Sequence, residues 1–311
     1  MSGTDADIER MPGAVYREVV GFRPLEMDLY LPHHVSGDRP VIVYVHGGGW
    51  QRGSRRRALP VLGGDGPAFH SAVAARGFAV AAVDYRLSGE AIWPAAVDDL
   101  CAAVHWLRAE NRRLRLDPDA IVLWGESAGA HLALLAALRR DDPLAVRGVV
   151  AWFPPTDLPG LPDDLRALHG ATHEPDTSRE DRFLGVPIAA APDRARTASP
   201  LTHVHPEAPP ILLAHGTADA HVPAAQSIRL ASALRAVGAP VELDLIAGAG
   251  HFWDGAPDVP YLVDTALRFC RTVTGVPAIS SARTVARDPV VAGSDPDDPR
   301  HDRPGRRRTG S

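Results

Sequence analysis

The sequence predicts an α/β fold built on a mostly parallel sheet with helices on both faces. Short apolar runs of strand length alternate along the chain with longer amphipathic segments, the signature of strand–helix–strand units. Several runs are apolar throughout, as in the Ile-Val-Leu of 121–123, which marks strands buried on both faces. The 311 residues, 45% of them hydrophobic, suffice for one large core of this kind.

Taken in order, residues 15–19 and 25–30 alternate apolar and polar and read as an antiparallel entry hairpin. Residues 40–45 and 77–83 are buried strands. After them, Val97, Leu100, Cys101, Val104 and Leu107 recur at helical spacing and form one apolar face. A strand at 120–124 is followed by a helix-forming stretch at 131–140, and strands at 146–153, 210–214 and 241–246 complete the sheet. Closing helices span about 224–237 and 259–273, with Gly238 and Gly275 placed as C-terminal caps. The globular domain is thus expected over 15–275, preceded by a flexible N-terminus at 1–14. Two further segments leave the rhythm. About 157–208 is rich in Pro, Asp and His, and a connection this long is expected to be a functional cap over the site. Residues 276–311 carry few large apolar side chains and are expected to be disordered.

The chemistry is concentrated at the ends of strands. Gly125-Glu126-Ser127-Ala128-Gly129 sits between a buried strand and a helix, where a Ser hydroxyl is lifted off the sheet on a turn so tight that its neighbours must be small. On such a scaffold the acid and then the base follow the Ser in the chain. Asp219 follows the strand at 210–214, and His251 follows the strand at 241–246. Both therefore lie beyond carboxyl ends, on the edge where open α/β sheets bind ligands. Asp157 and Asp244 are rival acids, but one precedes the cap and the other lies within a strand. Upstream, His46-Gly47-Gly48-Gly49-Trp50 follows another strand, and its glycines let amide groups approach a substrate. Gly48, Gly49 and the Ala128 N–H are the expected donors to an oxyanion. Trp50 and Glu126 are candidate substrate-binding residues, though Trp50 could equally pack under the loop and Glu126 could hydrogen-bond neighbouring loops, while His46 is expected to pin the glycine loop. Asp84 and Arg86 are expected to pair in the interior.

These pieces, with Asp84-Tyr85-Arg86-Leu87, Trp93-Pro94, Asp98-Asp99 and Gly250-His251, resemble the α/β-hydrolase carboxylesterases. The branch is that of the hormone-sensitive-lipase-like and bacterial feruloyl-esterase-like enzymes, and the likeness runs from about 15 to 275. The resemblance implies the α/β-hydrolase fold with a cap insertion, and a triad of Ser127, Asp219 and His251. Gly48, Gly49 and Ala128 match the family's oxyanion donors. It implies serine esterase activity on small or short-acyl esters, through an acyl-enzyme and without cofactor or metal. An arylformamidase-like amide hydrolase would use the same triad. A small-molecule receptor on this fold would typically have lost the His that stands here as His251.

Composition excludes other classes. Net charge is −5, with no basic patch inside the folded part, so no nucleic-acid partner is expected. All 33 basic residues are Arg, which removes a Lys Schiff base and a P-loop Lys. The two cysteines, Cys101 and Cys270, build no disulfide framework or zinc spacing, and His203 and His205 lack a third ligand in a recognisable pattern. The polar N-terminus has no apolar core of a signal peptide and no stretch is long enough to span a bilayer, so a cytoplasmic protein with no membrane partner is expected. The sequence leaves the oligomeric state open.

Overall fold

The computed structural model describes residues 7–170, 172 and 178–276. The strands are β1 (Ile8–Arg17), β2 (Leu25–Pro32), β3 (Arg39–Val45), β4 (Ala79–Val83), β5 (Leu116–Glu126), β6 (Gly148–Trp152), β7 (Ile211–Gly216) and β8 (Val241–Ile246). They form one eight-stranded sheet in the order β1-β2-β4-β3-β5-β6-β7-β8. β2 runs antiparallel to both its neighbours, and every other pairing is parallel. The carboxyl ends of β3, β5, β7 and β8 therefore share one edge.

The helices are α1 (Gly66–Ala74), α2 (Ala95–Ala109), α3 (Asn111–Leu114), α4 (Ala128–Leu138), α5 (Leu161–His169), α6 (Ser178–Leu184), α7 (Pro192–Thr197), α8 (Ala225–Ala236) and α9 (Val259–Thr274). Alternation along β3 divides the interior into two cores. Val41, Val43 and Val45 point to the side covered by α2, α4 and α8, where Val97, Leu100, Val104 and Leu107 present the expected apolar face. Ile42 and Tyr44 point to the other side, packed with Phe69 of α1 and Leu267 of α9. α4 is buried nearly all round, which explains why its sequence shows no polar face. Asp258 caps α9 by accepting from the Tyr261 N–H, and Gly275 ends it with φ 73°. Both cysteines are buried.

One boundary differs from the sequence reading, at the N-terminus. β1 begins at Ile8, so residues 8–14, assigned to a flexible N-terminus, are strand paired with β2. Pro12 and Gly13 break the alternation, and the register shifts between Met11 and Ala14. An edge strand tolerates such an interruption. The segment between β6 and β7 holds three short helices, α5 to α7, and 3₁₀ turns at Ile188–Ala190 and Pro200–His203. The tail expected to be disordered lies outside the described residues from 277 onward. Among the described residues, no helix is long and apolar enough to cross a membrane.

Candidate active site

β5 ends at Glu126 and α4 begins at Ala128, so Ser127 alone makes the turn, with φ 51° and ψ −119°. A side chain rarely occupies this region, and the surrounding packing must hold it there. A Cβ on Gly125 would lie 2.4 Å from the Gly129 carbonyl, and one on Gly129 would lie 2.1 Å from the Val45 oxygen. The small residues are thus required by the close approach of the elbow to its own helix and to the end of β3. The Ser127 N–H donates to the Trp152 carbonyl at 2.9 Å, tying the turn to β6.

The structure brings the three expected side chains together. The Ser127 hydroxyl lies 3.1 Å from His251 Nε2, and His251 Nδ1 donates to Asp219 Oδ2 at 2.6 Å. Asp219 Oδ1 accepts the amides of His221 and Val222 at 2.8 and 2.9 Å. Burial works to raise the Asp219 carboxyl, but the donors around it, His215 and His251 foremost, hold it well below the usual carboxylate range. Burial lowers His251, with Asp219 offsetting part of that effect, so the imidazole is neutral at neutral pH beside an ionised carboxylate. That is the state in which Nε2 accepts a proton from the Ser hydroxyl. The ring of Phe153, itself at φ 41°, packs 4.6 Å from the His251 ring.

His215 is a site residue that the sequence reading did not single out. It is fully buried at the end of β7, with Nε2 donating to the Val222 carbonyl at 2.8 Å and lying 3.4 Å from Asp219 Oδ2. The Ser227 hydroxyl donates to its Nδ1 at 2.7 Å. Its position four residues before Asp219, at a strand's end, was the available signal. Of the rival acids, Asp157 pairs with Arg229 at 3.0 Å, and Asp244 stays within β8.

The glycine loop faces the same edge. Gly48 and Gly49 have φ 112° and 60°, and a Cβ on Gly48 would meet the Arg52 carbonyl oxygen at 2.1 Å. Among the described residues their amides meet no backbone acceptor. The Ala128 amide, in the first turn of α4, lacks an intrahelical acceptor by geometry. The Gly47 N–H is engaged: it donates to Glu126 Oε1 at 3.1 Å. His46 Nδ1 donates to the Gly47 carbonyl at 2.7 Å, and its ring stacks on Tyr85 at 4.4 Å. From the cap, the Arg179 stem lies over Gly49, with Cδ 3.1 Å from where a Cβ would be.

For Trp50 and Glu126 one of the readings left open is seen, and one expected pair is corrected. Trp50, open between lining a substrate pocket and packing under the loop, is 2% exposed; it stacks on Phe183 at 4.6 Å and donates to His131 Nδ1 at 3.3 Å. It fastens the glycine loop to the cap. Glu126, a candidate for binding substrate or for hydrogen-bonding neighbouring loops, is turned inward to the Gly47 amide. Burial raises its carboxyl to about 7, against the smaller lowering by the Gly47 N–H and by Tyr44. Asp84 and Arg86 do not pair with each other. Asp84 joins Arg55, which also reaches Asp28 at 2.7 Å, whereas Arg86 grips Asp99 at 2.8 Å. The two residues, two positions apart just beyond β4, turn to different partners.

A mostly parallel sheet, helices on both faces and a Ser on a strained strand-to-helix turn define an α/β-hydrolase. The BD-FAE family profile matches residues 27–234, and the chain belongs to that family. Esterase LipQ of Mycobacterium tuberculosis is 32% identical over 232 residues, covering 71% of this chain and 52% of that protein. The chain spans about half the length of the curated relatives it matches. Among solved structures, a truncated carbohydrate esterase from gut microbiota has a TM-score of 0.72 at 24% identity, covering 88% of this chain and 99% of that one, a likeness of fold. Esterase 2 of Thermogutta terrifontis, phosphonylated by sarin, has a TM-score of 0.67 at 26% identity, with 86% of this chain and 95% of that chain covered.

Proposed function

We propose that the chain is a serine carboxylesterase that hydrolyses small or short-acyl esters through an acyl-enzyme on Ser127. The observation that carries this reading is the unbroken hydrogen-bond chain from Asp219 through His251 to Ser127, set beside amides with no backbone acceptor. The naming of the relatives as esterases supports it, as does the modification of the T. terrifontis relative by an organophosphorus electrophile.

The steps follow from the placements. Ser127 Oγ attacks the ester carbonyl as His251 Nε2 takes its proton. Asp219 holds the imidazole in the accepting tautomer and stabilises the imidazolium that forms. The carbonyl oxygen, now anionic, is met by the amides of Gly48, Gly49 and Ala128. His251 returns the proton to the leaving alcohol, then takes one from water, whose attack on the acyl-enzyme releases the acid and restores Ser127. The scheme uses no metal or organic cofactor, and a small ester is the only partner it requires. A single domain with a modest cap favours a pocket for small substrates over a broad lipid-binding face. The test is kcat/KM on an aryl acetate and on a formanilide in parallel. The ester should be the faster substrate; faster cleavage of the formanilide would replace this reading with an amidase.

A further inference from the structure

Resting on the esterase reading, we propose that the depression beside His251 is the leaving-group site and that it takes an aromatic alcohol, of the benzyl or phenol class. The depression has a volume of about 630 Å³, and its walls include Pro60, Val61, His221, His251, Phe252 and Asp254. Ser127, the glycine loop and Ala128 are not part of its lining. In an acyl transfer the acyl half stays on the Ser, while the alcohol oxygen leaves with the proton that the imidazole carries. A cavity walled by the imidazole, and not by the nucleophile or the oxyanion donors, lies on the path of the alcohol.

The side chains indicate what kind of alcohol. Phe252 and Val61 are large apolar residues left 37% and 39% exposed, and both border this one depression. Phe252 is presented by a strained turn: Phe252 and Trp253 have φ 62° and 65°, a region that bulky residues avoid. Trp253 anchors the turn by packing against Phe153 and Trp152 at 5.0 and 5.6 Å, and the Gly250 N–H donates to the Asp254 carbonyl at 2.7 Å. With Trp253 held inside, Phe252 is held outside. Its ring then stands edge-on to His251 at 4.3 Å and to His221 at 6.1 Å, leaving ring surface for another aromatic group to contact. The Pro60–Val61 wall offers no side-chain hydrogen bond, so the hydroxyls of a sugar would lose their water without replacement there. Asp254 on the wall disfavours an anionic leaving group.

The test holds the acyl group fixed and varies the alcohol, comparing kcat/KM for benzyl acetate, ethyl acetate and glycerol monoacetate. The unaltered protein should prefer benzyl to ethyl acetate by about tenfold or more, with glycerol monoacetate poorest. Phe252→Ala should lower the benzyl-to-ethyl ratio by roughly tenfold. Because Phe252 adjoins His251, Val61→Ser on the other wall provides the independent variant and should lower the same ratio. The ratio of ethyl butyrate to ethyl acetate should not move in either variant. A shift in that acyl ratio in place of the alcohol ratio would assign the depression to the acyl group. Turnover with glycerol monoacetate preferred would overturn the aromatic assignment alone. Turnover of no ester at all would overturn the esterase reading, and this one with it.

Discussion

Two buried carboxyl groups flank the nucleophile, and their surroundings drive them in opposite directions. Asp219, on the His251 side, accepts the two amides of its own loop and the imidazole Nδ1, with a second imidazole close by, and is held ionised. Glu126, on the glycine-loop side, has one amide donor and only a small further lowering from Tyr44, and burial pushes it up to about 7. The number of donors, more than depth, separates them. A fixed negative charge is useful where a cation forms, on His251. It is costly where an anion forms, near the amides of the glycine loop. In the proposed scheme the difference fits Asp219 to the reacting groups and Glu126 to holding Gly47, with Gly48 and Gly49 left as the proposed donors to the substrate.

The largest expected effect tests the group between the two carboxyls. Ser127→Ala should lower kcat by on the order of 10⁴ or more while the fold, read by circular dichroism, is retained. More than a tenth of the original rate would remove Ser127 from the chemistry. Asp219→Asn should cost on the order of 10⁴ in kcat, because an amide stabilises the wrong imidazole tautomer. If Asp157→Asn or Asp244→Asn were the severe change instead, the comparison would rest on the wrong carboxylate.

Glu126→Gln should be far milder in rate, since the amide oxygen still accepts from Gly47. Its effect is on stability, and the sign follows from linkage. A carboxyl raised in the folded state contributes stability that is complete below its unfolded value, 4.5, and lost as pH rises through about 7. The shift corresponds to roughly 3 kcal/mol. Denaturant titrations should therefore show Glu126→Gln gaining on the parent between pH 5 and 8. Asp219, depressed in the folded state, contributes in the opposite sense: its stabilisation is present above its unfolded value of 3.8 and is lost as pH falls. Asp219→Asn should lose stability at neutral pH and regain part of it in acid. Parallel pH slopes for the two variants would break the contrast.

The smallest effect is the position of the acid limb of kcat/KM. Burial lowers His251, so the limb should fall below the usual histidine value of 6.5, with a single proton taken up. A limb above that value would mean that the Asp219 contact outweighs burial.

Periodicity and motif spacing made the sheet and the three central residues legible. Ser127, Asp219 and His251 each follow an apolar strand, so strand ends in a parallel sheet bring them to one edge. Side-chain partners were less legible, because nothing local encodes them. Trp50 meets His131 of α4, 81 positions away, and Phe183, 133 positions away, the latter in a cap whose short polar helices leave little periodic signal. Arg55 meets Asp28 and Asp84 only because β2 and β4 are neighbours in the sheet. Residues 8–14 were missed because Pro12 and Gly13 interrupt an alternation that an edge strand does not need to keep.

Labelling with a fluorophosphonate, followed by intact mass and peptide mapping, tests the central claim most directly. The reagent needs an activated hydroxyl and an oxyanion site but no knowledge of the natural ester. One adduct per chain is expected, on the peptide containing Ser127, absent in Ser127→Ala and strongly slowed in Asp219→Asn but not in Glu126→Gln. An adduct on another residue, or equal labelling rates in the two carboxyl variants, would contradict the account.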